Sequence, residues 1–325
     1  MKKFVSVLLI FCLAFSSLLF GGCKNKTPEV EEEKNVNIVA FGDSISAGYA
    51  PQNTEMYAYY NDYVIGRARV NEKCFTGVLA NSLSTEEVSV KTVSYAESGD
   101  TTDDLIDKFN DSQTYPDLLS DISSADIITL CIGANNVLSP TIDNMSALLA
   151  GSMSLEDFED LLMEGYNNFK FDYTNSIIPV LTRSEAQIYV MTVYDPYKYA
   201  SLLDITVTGS IGFDFSAFET QFSQVKSLAI EYLEKINEYI RTQRFDNVFV
   251  VDVYASFETI SKAEYGNFVN VDTTEISLEV NNYYDLLTIQ SKLIESVYLD
   301  PHPTMFGQQF IASLFYNAII QNNSN

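Results

Sequence analysis

The chain has 325 residues, with 19 Lys and Arg against 44 Asp and Glu and a formal net charge of −25. A field of that sign disfavours nucleic acid and anionic headgroups as partners of the folded domain. The single histidine, His302, means that any imidazole-mediated proton transfer near neutral pH must use that residue, and it leaves no His cluster for a metal.

At the N-terminus, Met1-Lys2-Lys3 is basic and Val5 to Phe20 is a mostly apolar run too short to span a bilayer comfortably. Phe20-Gly21-Gly22-Cys23 follows, and small residues before a cysteine there resemble a bacterial lipobox. The expectation is a lipoprotein signal peptide over 1–22, lipidation at Cys23, and an acidic flexible tether over 23–35. An ordinary secretory signal or an uncleaved anchor is the alternative. Residues 1–22 carry two of the basic side chains and none of the acidic ones, so the mature chain is more acidic still.

Val36 to Phe41 reads as a buried strand running into the turn Gly42-Asp43-Ser44. The Tyr-rich run Met56 to Tyr63 follows, suited to packing a loop on the core or to contacting substrate. Glu72 to Leu83 is a candidate helix, with Phe75, Val78, Leu79 and Leu83 on one face. The strand Val88 to Ala96 leads to Gly99, whose missing Cβ lets a backbone N–H approach a reacting oxygen. The same stretch also reads as a plain strand-to-helix turn, with Asp100 or Thr101 capping a helix over Thr102 to Phe109.

A third strand, Ala125 to Ile132, ends in Gly133-Ala134-Asn135-Asn136. An Asn amide there can donate to a developing oxyanion, worth about 2.7 to 4 kcal/mol of transition-state stabilisation, although Asn is also common in loops. Further helices are read at Leu155 to Pro179, Ser223 to Arg244 and Met305 to Ile320, and further strands at Gln187 to Tyr194 and Asn247 to Tyr254. Five apolar strands alternating with helices imply a parallel sheet covered on both faces. Of the four cysteines, Cys12 lies in the leader, Cys74 and Cys131 fall in the domain, and Cys131 sits in a buried strand as core filling. Neither zinc nor any cofactor is expected from this donor set.

Ser44, Gly99, Asn135 and His302, in that order, resemble the SGNH or GDSL-type serine hydrolases, and the resemblance spans about Val36 to Phe315. It implies a flavodoxin-like three-layer α/β/α sandwich with a central parallel sheet of about five strands. It implies Ser44 as nucleophile, His302 as general base, and an oxyanion hole from the backbone N–H groups of Ser44 and Gly99 with the Asn135 side chain. A serine hydroxyl needs such a base before it can attack an ester carbonyl.

The chain departs from the family pattern at two places. The position three before the histidine, where the family carries its acid, is Leu299; Asp300 is the nearest carboxylate. Either Asp300 or a backbone carbonyl such as that of Leu299 would hold the imidazole. Asn136 stands where the family usually has Asp.

The domain is expected over 36–321, with insertions near 140–180, 197–224 and 257–296 that rim the pocket. The expected activity is extracytoplasmic hydrolysis of carboxylic esters through an acyl-enzyme on Ser44, leaning slightly to glycan deacetylation. Lipase-like cleavage of longer acyl chains and a non-catalytic surface binding lipoprotein are the alternatives. The expected partners are a small-molecule, carbohydrate or lipid ester and, through the Cys23 anchor, the bacterial cell membrane; the oligomeric state is left open.

Overall fold

In the computed structural model the described residues are 34–49, 72–210, 215–271, 276–279, 281–282 and 300–324. The central sheet is built from β1 (Lys34–Gly42), β2 (Val88–Ser94), β3 (Ile127–Cys131), β4 (Gln187–Met191) and β6 (Val248–Val251), in the order β2-β1-β3-β4-β6. The pairings are parallel, with Ile38 opposite Ile127, Ile128 opposite Ile188 and Ile188 opposite Val248. At the outer pair, Tyr95 N donates to Ala40 O and Glu97 N to Gly42 O, the advancing register of a parallel pair.

Side chains alternate across a strand, and here both alternations are apolar. Ile38, Ile127, Tyr189 and Met191 enter one core with Phe75, Leu79, Ile311 and Phe315. Their neighbours Val39, Phe41, Ile128, Ile188 and Val190 enter the other with Leu105, Phe158, Phe169 and Ile236. The first face is covered by α2 (Phe75–Leu83) and α11 (Met305–Asn323), whose Phe75 and Phe315 rings stack at 4.9 Å. The second is covered by α3 (Thr102–Asn110), α6 (Leu155–Asp172) and α8 (Glu219–Thr242). This is the expected three-layer α/β sandwich, its five-stranded parallel sheet included.

Several boundaries differ from the sequence reading for local reasons. The strand read to Tyr254 stops at Val251, because the Asp252 side chain accepts from Ala255 N and caps α9 (Val253–Glu258). The helix read from Leu155 to Pro179 is α6, a π-helical turn over Tyr173–Ile177, and α7 (Ile178–Leu181) with Pro179 at its start. Residues read as insertion after Pro140 belong to α5 (Asn135–Leu149), which tolerates that proline internally. Elements not anticipated include α4 (Leu118–Ser124), α10 (Lys262–Tyr265) and a two-stranded parallel sheet joining β5 (Ile205–Thr208) to β7 (Ile276–Glu279). That small sheet ties the second insertion to the third.

Candidate active site

The strand order reverses between β1 and β3, and open α/β sheets bind ligands beyond the strand ends at such a point. Gly42 ends β1 there, and Gly99 and Asn135 follow β2 and β3. Gly42 has φ +141°, and a Cβ on it would stand 2.1 Å from Cys131 O, so only glycine lets the chain turn while Asp43 N donates to that carbonyl. Ser44 opens the short helix α1 (Ser44–Ala47), capped by Asp43, whose carboxylate accepts from Ile45 N at 2.9 Å.

Ser44 Oγ lies 2.9 Å from His302 Nε2, although 258 residues separate them in the chain. On the other side of the ring, Nδ1 pairs with Asp300 Oδ1, which also accepts from His302 N at 3.0 Å. A carboxylate only accepts, so Nδ1 carries the proton and Nε2 is left to accept from the Ser44 hydroxyl. Of the two expected holders of the imidazole, Asp300 occupies Nδ1; Leu299 lies outside the described residues. Asp300 is buried, and its second oxygen accepts from Asn270 Nδ2 at 3.2 Å.

The loop carrying the histidine is braced from three sides. Asn270 N donates to His302 O at 2.8 Å, the Tyr194 hydroxyl to Pro301 O at 2.7 Å, and Val269 bridges Pro303. The Tyr49 ring lies 4.4 Å from the imidazole, tilted against it. Gln308, fully buried on α11, accepts from Phe75 N and donates to Ile45 O, pinning the Ser44 turn to two helices.

Gly99 has φ +90° with open space where a Cβ would stand, so its conformation rather than crowding calls for glycine. Asn135 Nδ2 donates to Asp100 O at 3.0 Å, tying the β3 end to the Gly99 turn and leaving its second N–H for a ligand. Lys108, buried on α3, pairs with Asp100 and donates to Tyr95 O at 3.2 Å, with Glu97 at 3.1 Å. One ammonium thus holds three points of the loop that carries Gly99.

Asn136, the departure from the family pattern, has a structural occupation. Its amide exchanges bonds with Thr102, donating to Oγ1 and accepting from N, while Thr102 Oγ1 donates to Asp172. Asn136 therefore joins α5, α3 and α6 beneath the site and points no group at Ser44.

Burial pushes the Asp43 carboxyl up to about 6, against the opposing pull of the Ile45 N–H and the His302 charge. Burial also lifts Asp100 to about 7 despite Lys108 beside it. Cys74 and Cys131 are both buried, and Cys131 Sγ lies 3.8 Å from Asp43 Oδ1.

Ser44, Gly99, Asn135 and His302 all line one cavity of about 420 Å³. The rest of its wall is mostly apolar, with Leu138, Ile142, Met145, Val193 and Phe222. The arrangement supplies a hydroxyl beside a base, a carboxylate behind the base and donors near the hydroxyl, the set needed for acyl transfer. The sequence reading singled out Ser44, Gly99, Asn135, Asp300 and His302, and the structure brings all five together. It did not find Asn270, Gln308, Lys108 or Tyr194. Cys23 and the Tyr-rich run Met56 to Tyr63 lie outside the described residues.

The family described as GDSL-like lipase/acylhydrolase matches residues 38–315. A comparison with curated proteins found no match. Among solved structures, a lipase from a goat rumen metagenome overlays with TM-score 0.50 at 17% identity, covering 87% of this chain and 97% of that one. An extracellular lipase from Streptomyces rimosus does so with TM-score 0.50 at 16% identity, covering 87% and 99%. An acetylxylan esterase from Geobacillus stearothermophilus overlays more loosely, with TM-score 0.34 at 14% identity, covering 89% and 96%. At these identities the likeness is one of fold, whereas the family match covers most of the chain and agrees with the order of Ser44, Gly99, Asn135 and His302. The chain belongs to the GDSL-like lipase/acylhydrolase family and is a carboxylic ester hydrolase.

Proposed function

We propose that the protein is an extracytoplasmic, lipid-anchored esterase that cleaves esters whose acyl chains are several carbons long through an acyl-enzyme on Ser44. The observation that carries the mechanism is the chain of contacts from Ser44 Oγ through the imidazole to the buried Asp300. His302 Nε2 takes the hydroxyl proton as Oγ attacks the ester carbonyl, and Asp300 stabilises the imidazolium that forms. The negative charge that develops on the carbonyl oxygen is met by the N–H groups of Ser44 and Gly99 and the Asn135 amide. His302 returns the proton to the departing alcohol, then activates a water that frees Ser44.

The cavity wall supports a longer acyl chain over acetyl, the reverse of the slight lean drawn from the sequence. An acetyl group presents one methyl to a wall of Leu138, Ile142, Met145, Val193 and Phe222, whereas each further CH₂ buried there contributes about 0.8 kcal/mol. Transition-state binding of that size gives about a fourfold rise in kcat/KM per carbon until the cavity is filled. Hydrolysis of aryl esters from acetyl to decanoyl tests this. A maximum between butanoyl and octanoyl is expected; a steep fall from acetyl onward would return the reading to deacetylation.

A further inference from the structure

Among the described residues, Lys226 is the one lysine or arginine in the wall of the acyl cavity. It lies on the face of α8 that also carries Phe222 and Ala229, four residues before it and three after, and both of these line the cavity as well. Its ammonium donates to Ala200 O at 2.8 Å, its single hydrogen bond among the described residues, out of three that an ammonium can make.

Asp195 and Glu219 attract Lys226 through space, but among the described residues neither stands within ion-pair distance of its ammonium, and each accepts from other donors. Asp195 accepts from Tyr197 N, and Glu219 accepts from Leu202 N, Ser201 and Ser223. Lys262, the other charge acting on it, faces Asp204. Burial lowers the Lys226 pKa, so holding the charge there costs free energy that an anion alongside would offset. In a chain with 44 acidic side chains, a half-buried cation beside an apolar cavity is an unusual placement.

We infer that Lys226 is a specificity-determining residue that receives a carboxylate at the far end of the substrate's acyl chain. The apolar wall takes the methylenes and the ammonium takes the terminal charge. A single positive charge matches a monoanion; a dianionic phosphate would leave charge uncompensated against an apolar wall. The inference rests on the esterase reading and goes beyond it in naming the end group.

The test uses the purified full chain and three aryl esters of equal tail length: hexanoate, the hemi-ester of adipate, and a chain ending in phosphonate. The adipate ester is expected to exceed hexanoate in kcat/KM by about tenfold, the scale of one charge-assisted hydrogen bond. Lys226→Met should bring that ratio below one, and Lys226→Arg should keep it above one; Lys226→Gln serves if the Met variant does not fold. Turnover of hexanoate with no preference for adipate, or a ratio unchanged in Lys226→Met, overturns the assignment and leaves the esterase reading standing. A preference for phosphonate over adipate overturns the choice of a carboxylate. No turnover of any of the three overturns both readings.

Discussion

Asp43 shows at the scale of one residue how the site sets function against stability. It is 1% exposed, its Oδ2 has no hydrogen-bond partner among the described residues, and its pKa rises from an ordinary 3.8 to about 6. Below about pH 3.8 the group is protonated whether the chain is folded or not. As pH rises toward 6 the unfolded chain ionises first, so the native state loses stability across that window and stays penalised above it. Two pKa units correspond to a cost on the order of 1 to 3 kcal/mol at neutral pH. The same carboxylate caps the turn that carries Ser44, accepting from Ile45 N. Asp43→Asn keeps a competent helix cap and removes the charge. Its urea midpoint should exceed that of the parent at pH 7.5 and approach it at pH 4.5; an equal difference at both pH values would contradict the account.

Among the elements, α3 shows how a secondary-structure face carries the site. Thr102, Leu105 and Lys108 are its buried positions, spaced by threes, and the last is a lysine where the helical period calls for an apolar residue. Through Asp100, Tyr95 and Glu97 it fixes the Gly99 turn, and through Asp100 O it fixes Asn135. Lys108→Met should therefore lower kcat by about tenfold to a hundredfold with KM within twofold, and Lys108→Arg should recover part of it, since a lost oxyanion donor is felt only in the transition state. A folded Met variant with kcat within twofold of the parent would show that the network is not needed for turnover.

Much of this was legible in the sequence for stated reasons. Strands buried on both faces read as unbroken apolar runs, and glycines with forced conformations stand at Gly42 and Gly99. Lys108 and Gln308 left a fainter signal, each a polar residue inside an apolar helical stripe. Asn270 and Tyr194 left none, because their value lies in backbone and side-chain partners reached only when the loops close over His302. The β5–β7 pairing was equally silent: four-residue strands 71 positions apart carry no local mark of their partner.

For the whole molecule, the proposal is that the leader and the acidic segment after it hold the domain outside the membrane, where its net charge of −25 would be repelled by anionic headgroups. Cys23→Ser should move the expressed protein from the membrane fraction to the soluble one without altering its turnover; retention in the membrane would point to an uncleaved anchor. The central claim is that Ser44, raised to a nucleophile by His302 and Asp300, forms the acyl-enzyme. An aryl fluorophosphonate added to the folded chain, followed by peptide mass mapping, tests it most directly. One adduct is expected, on Ser44, absent in Ser44→Ala and formed at least a hundredfold more slowly in Asp300→Asn. No adduct on Ser44, or equal labelling rates in the parent and Asp300→Asn, would contradict it.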